Sequence, residues 1–179
     1  MPARDIYNIV LIGPMVAGKS SLGKALAEEI GWDFYDSDQE IEKQAGVELL
    51  WIYDLEGEEG FHRREQKIIA ELSKKRNIVL ATGGSTVAVS ENRDAILKHG
   101  LIIYLAISLD DQLVRTGYSK KRPLSRELAE RRQILQMLHK KYVPIYEELA
   151  DIVYQTDNKP TRHAIKELIG SIRTKIDLV

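Results

Sequence analysis

Strand-like segments alternate with stretches of helical periodicity along the whole chain. Ile6–Ile12 is largely apolar and stops at Gly13, which predicts a buried strand. After Gly18, apolar residues recur at Leu22, Ala25, Leu26 and Ile30. That spacing predicts a helix, with Gly31 where a C-terminal cap belongs. Asp33–Asp36 reads as a second, short strand, and Gln39–Gln44 and Gly57–Lys75 as helices. Ile78–Ala81 is a strand ending at Gly83-Gly84, Glu91–Lys98 a helix and Leu101–Leu105 another buried strand. Asp110–Thr116 opens a helix that leads into a basic segment, Ser119–Arg132. Ile134–Glu148 is helical, with Pro144 expected to start a new turn. Ile152–Gln155 is the last strand, and Pro160 opens a helix with Ala164, Ile165, Leu168, Ile169 and Ile172 on one face. The alternation predicts an α/β fold, a parallel sheet covered by helices on both faces.

Composition narrows the function classes. The 179 residues suit one domain spanning 1–179, and 44% hydrophobic with 30% charged residues can build a core. A net charge of -1, from 26 basic and 27 acidic side chains, predicts neither a nucleic-acid nor an anionic-membrane partner. There are no cysteines, which excludes disulfides, thiolate catalysis and Cys-based zinc sites. No apolar run approaches the roughly 20 residues of a membrane helix, and Met1–Ile6 lacks the apolar stretch of a signal peptide. A cytoplasmic, monomeric enzyme is the expectation. Gly117–Glu130 is dense in Lys and Arg and poor in apolar residues, and is read as a mobile flap over the active site.

Gly13-Pro14-Met15-Val16-Ala17-Gly18-Lys19-Ser20 fits the phosphate-loop pattern G-x-x-x-x-G-K-[ST] at every fixed position, between a strand and a helix. In such a loop the backbone N–H groups, from Gly13 through Ala17 and Gly18 to Ser21, surround the phosphate oxygens of ATP. The helix N-terminus adds to the attraction. Lys19 is expected on the β- and γ-phosphates and Ser20 on Mg²⁺. Asp36-Ser37-Asp38 ends the second strand, where open α/β sheets bind ligands. Asp36 suits a water on Mg²⁺, and Asp38 a substrate hydroxyl. The plain alternative is a helix N-cap supplied by Ser37 or Asp38, and both roles can hold at once.

The segments GPMVAGKS, FYDSDQEIE, DLEGEEGF, VLATGG, KRPL and PIYEELAD, in this order, resemble shikimate kinase over nearly the whole length. The resemblance implies a three-layer P-loop NTPase fold like that of nucleoside monophosphate kinases. It has a five-stranded parallel sheet, a substrate-binding segment at about residues 33–62 and a lid at about 117–130. It also implies transfer of a phosphoryl group from ATP to the 3-hydroxyl of shikimate. By position, Asp38 holds the substrate hydroxyls and Asp36 lies near Mg²⁺. Gly83 and Gly84 meet the substrate, Arg122 reaches the transferring phosphate from the lid, and Arg115 lies on adenine. Lys19, Asp38 and Arg122 then form the catalytic set.

The chain departs from that family pattern on the acceptor side. The position of one carboxylate-binding arginine holds His62 and that of a second holds Tyr142. Ser85 stands for the third glycine of the turn, and Val16 for a common glycine of the phosphate loop. Neither His nor Tyr reproduces the bidentate fork of Arg on a carboxylate. Arg63, Arg64 and Lys141 are the neighbours that could compensate. Three functions follow: a shikimate kinase with an altered carboxylate site, a kinase of another small hydroxylated compound, or a nucleotide-binding paralogue with little catalysis. The intact Lys19, Ser20, Asp36, Asp38 and Arg122 argue against the third.

Overall fold

A computed structural model describes residues 5–117, 127–156 and 160–178 of the chain. Five strands form one parallel sheet: β1 (Asn8–Ile12), β2 (Asp33–Asp36), β3 (Ile78–Ala81), β4 (Gly100–Ala106) and β5 (Ile152–Gln155). Their order across the sheet is β2-β3-β1-β4-β5. The helices are α1 (Lys19–Ile30), α2 (Ser37–Ala45), α3 (Leu49–Leu72), α4 (Ser90–His99), α5 (Leu109–Thr116), α6 (Leu128–Leu149) and α7 (Thr161–Arg173). A 3₁₀ turn covers Thr86–Ala88.

The period-2 geometry of a strand divides its side chains between two cores. Val10, Ile12, Ile78, Leu80, Ile102 and Tyr104 face one core, which holds Ile52, Phe61, Ile68, Ile69 and Tyr146. Ile9, Leu11, Val79, Leu101, Ile103 and Leu105 face the other, with Leu22, Leu26, Ala164, Ile165 and Leu168. The sheet is therefore filled on both sides, as its continuous apolar strands predict.

Three elements differ from the sequence expectation. α2 begins at Ser37, capped by Asp36, whose Oδ1 accepts from the N–H groups of Asp38 (3.0 Å) and Gln39 (3.2 Å). The cap is thus neither Ser37 nor Asp38. α3 begins at Leu49, eight residues before the expected Gly57. Its first N–H groups have no local side-chain cap, and the Leu49 N–H donates instead to Glu42 Oε1 from α2 at 3.1 Å. At Gly57 the backbone turns to φ 69, ψ -176 and breaks the helix, a conformation that costs glycine little. Tyr53 stacks on Phe61 across the break, with ring centroids 4.5 Å apart. α6 runs unbroken through Pro144 and begins at Leu128, so Leu128–Glu130, assigned to the flap by sequence, form its first turn. The expected flap residues 118–126, with Arg122, lie outside the described residues.

Candidate active site

The carboxyl ends of β1, β2 and β3 converge on one cleft, because β1 and β3 are neighbours and β3 pairs with β2. β1 leads into the phosphate loop. Gly13 holds φ 143, and a Cβ there would come within 2.6 Å of the Leu105 carbonyl oxygen, so only glycine fits against β4. Lys19 is buried, and its Nζ donates to the carbonyls of Gly13 (2.8 Å) and Pro14 (2.7 Å). Val16 adopts φ 58, a left-handed conformation that strains a β-branched residue. The glycine of the family pattern fits that geometry and Val16 bears its cost.

Helices α5 and α6 brace this loop from the far side. Arg115 Nη1 donates to the Val16 carbonyl (3.2 Å), and Gln112 Nε2 to the Met15 carbonyl (3.2 Å). His139 Nε2 lies 2.6 Å from Gln112 Oε1, so this nitrogen carries the proton. Burial pushes the His139 pKa down, which favours that neutral donor. Sequence reasoning missed Gln112 and His139, and no local motif marks either one.

Ser20 stands at the start of α1 and donates its hydroxyl hydrogen to Asp36 Oδ2. A hydroxyl and a carboxylate, both hard oxygen donors, thus meet beside the loop. This pair fits Mg²⁺, which takes few protein ligands and keeps waters and phosphate oxygens. A cavity of about 560 Å³ joins Gly18, Lys19, Ser20 and Ser21 to Asp36 and Asp38, with Thr82, Gly83 and Gly84 on its floor. The Gly83 N–H donates to Ser37 Oγ at 3.1 Å, and the Thr82 N–H to the Leu11 carbonyl at 3.1 Å. The turn is therefore tied to β1 and to the first residue of α2. A Cβ on Gly83 would approach Asp38 Oδ1 to 2.9 Å and Glu65 Oε1 to 3.2 Å.

The residues at the two arginine positions are placed differently from each other. Tyr142 lines a second cavity, of about 190 Å³, with Tyr53, Glu58, Leu138 and Tyr146. Met15 and Gly84 belong to the walls of both cavities, which are therefore neighbours. The Tyr146 hydroxyl donates to the Gly84 carbonyl, and burial pushes its pKa far up. His62 borders neither cavity. Its Nδ1 lies 3.1 Å from Glu65 Oε2 and its Nε2 lies 3.5 Å from Glu58 Oε1. The hydrogen bond to Glu65 is the largest cause raising the His62 pKa, against a smaller opposing effect of burial. Arg63 pairs with Glu59 (2.9 Å) and Arg64 grips Glu56 (2.6 Å), both directed away from the acceptor cavities. Lys141 is exposed with its Nζ 5.0 Å from the centre of the Tyr142 ring. Ser85 has φ -94 and ψ 0, so the side chain at this third turn position brings no left-handed strain.

Residues 15–173 match the family model described as shikimate kinase. Shikimate kinase 1 of Escherichia fergusonii is 46% identical over 167 residues, covering 93% of this chain and 96% of the relative. Shikimate kinase 1 of Salmonella newport is 45% identical with the same coverage. Among solved structures, shikimate kinase from Acinetobacter baumannii in complex with shikimate superposes with a TM-score of 0.89 at 36% identity, over 97% of both chains. The enzyme from Aquifex aeolicus gives a TM-score of 0.80 at 33% identity, over 93% of this chain and 96% of the other.

Proposed function

The chain belongs to the shikimate kinase family, and from that premise we infer that it transfers the terminal phosphoryl group of ATP to the 3-hydroxyl of shikimate. The observation that carries the reading is one continuous cavity in which Lys19 and Ser20 stand opposite Asp38. A donor phosphate and an acceptor hydroxyl both fit there.

Each residue has a task its chemistry suits. The loop N–H groups and the α1 N-terminus hold the phosphates. Lys19 leaves its two carbonyl partners to meet charge building on the transferring oxygens. Asp38 accepts a hydrogen bond from the attacking hydroxyl and aims it. Ser20 and Asp36 would hold Mg²⁺, which supplies positive charge to the phosphate oxygens when bound. Gly83 and Gly84 keep the acceptor floor open, and Arg115, which braces the phosphate loop through the Val16 carbonyl, lies on adenine. Arg122 completes the catalytic set in this reading on the strength of its sequence position. A monomeric, cytoplasmic enzyme belongs to the same reading and rests on composition.

An ADP-release assay with shikimate and a panel of other ring polyols and hydroxy acids tests it. Shikimate-dependent ADP release that Lys19→Ala abolishes is expected. A panel member turned over at least about tenfold more efficiently than shikimate, a gap of roughly 1.4 kcal/mol, would transfer the assignment to that acceptor.

A further inference from the structure

The buried carboxylate of Glu65 lies directly behind the acceptor floor and has no part in the chemistry described so far. Glu65 is fully buried. One of its oxygens accepts the hydroxyl hydrogen of Thr86, the first residue of the 3₁₀ turn that follows Gly83-Gly84-Ser85. A Cβ built on Gly83 would meet this same oxygen at 3.2 Å, Thr86 Oγ1 at 3.3 Å and Asp38 Oδ1 at 2.9 Å. Thr86 is itself held, since its carbonyl accepts from Asn92 Nδ2 at 3.1 Å and its N–H donates to the Gly83 carbonyl at 3.2 Å. Glu65 thus fixes the turn that floors the acceptor cavity.

A buried carboxylate charge is costly unless a counter-charge and hydrogen bonds offset it. Among the described residues, His62 is the basic side chain within ion-pair distance of Glu65. Both ring nitrogens of His62 face carboxylate oxygens, Glu65 at 3.1 Å and Glu58 at 3.5 Å. A carboxylate only accepts hydrogen bonds, so both contacts are satisfied when both nitrogens carry protons, which is the imidazolium form. The other groups facing this cluster are Asp38 from α2, Thr86 from the 3₁₀ turn, and Tyr142 and Tyr146 from α6, which share a cavity wall with Glu58.

We propose that His62 is a positioning residue rather than an acceptor ligand: as imidazolium it balances buried Glu65, and through Glu65 and Thr86 it sets the Gly83–Gly84 floor beside Asp38. The inference rests on the reading that the Asp38 cavity takes the acceptor. When His62 loses its proton, the Glu65 charge is left unbalanced and the floor rearranges. The KM for acceptor then rises while the KM for ATP stays level, because the phosphate loop has its own supports in α5 and α6.

The test is a rescue. His62→Gln removes the charge and is expected to raise the shikimate KM by about tenfold or more, the scale of an unpaired buried charge. Adding Glu65→Gln removes the charge that needed balancing and leaves an amide oxygen for Thr86. The double variant is expected to return to within about threefold of the parent KM, a strong non-additivity. It should also lose the rise of KM with pH. A double variant as impaired as His62→Gln, or worse, would overturn the proposal, because then His62 or Glu65 touches the acceptor itself. A second readout needs no acceptor. The chain has four histidines, and the ¹³C NMR signal missing from His62→Gln identifies the one at 62. Its pKa is expected to fall in Glu65→Gln, and an unchanged value would overturn the counter-ion role. Failure of the unsubstituted enzyme to phosphorylate shikimate would instead sink the acceptor reading on which the floor argument stands.

Discussion

His62, its pKa raised chiefly by the hydrogen bond to Glu65, makes stability depend on pH. A group whose folded pKa exceeds its unfolded value stabilises the fold below the unfolded value, about 6.5, and loses that contribution as pH rises through the folded one. Urea titrations should therefore find the parent's advantage over His62→Gln largest near pH 6 or below, shrinking above the raised titration. His62 was legible as a position and not as an environment. The signal was available: Glu58 and Glu65 stand four residues before and three after it, the spacing that puts side chains on one helix face. The Glu65 bond to Thr86 spans 21 residues, and no local pattern announces it. Lys19 and Ser20, singled out by the spacing of one motif, and Asp36 and Asp38, singled out by their place at a strand end, line one cleft. Val16 gives a second residue-scale expectation. Relief of its left-handed strain in Val16→Gly, partly offset by the greater freedom of glycine in the unfolded chain, should stabilise by about 1 kcal/mol in the same titrations.

At the scale of elements, the sequence read strands well and helix starts poorly. β2, β3 and β5 fall on their expected residues, because each short strand is set off by turn or polar residues at its ends, and β3 by its own buried apolar run. The start of α3 was missed for a physical reason. Its cap, Glu42, belongs to another helix, and Leu50, Trp51 and Leu55 are exposed where helical periodicity would hide them. α6 crosses Pro144 with the proline on its exposed side, where water can reach the Lys140 carbonyl that loses its N–H partner. Asp36 serves an element and a site together, and two substitutions separate these duties. Asp36→Asn keeps an oxygen for the Asp38 and Gln39 N–H groups, so stability should change little while the Mg²⁺ concentration for half-maximal activity rises. Asp36→Ala should raise the Mg²⁺ requirement as well and cost about 1 kcal/mol of stability, read by thermal melting. Equal Mg²⁺ dependence in the parent and Asp36→Asn would contradict the metal role.

The whole molecule places these parts by topology. With β1 between β3 and β4, and β2 outside β3, the phosphate loop, the two aspartates and the Gly83–Gly84 turn must meet at one edge of the sheet. The strand–helix alternation made the parallel sheet legible but not the strand order, since periodicity does not encode which strands are neighbours. The two neighbouring cavities were not legible as shapes, being made by residues from several separate elements and loops. This arrangement transfers phosphate to shikimate rather than to water, and ³¹P NMR of the enzyme with ATP, Mg²⁺ and shikimate distinguishes the two. A phosphomonoester resonance should grow at the rate of ADP formation and be absent with Lys19→Ala. ADP appearing with free phosphate and no phosphomonoester, or no ADP formed at all, would contradict it.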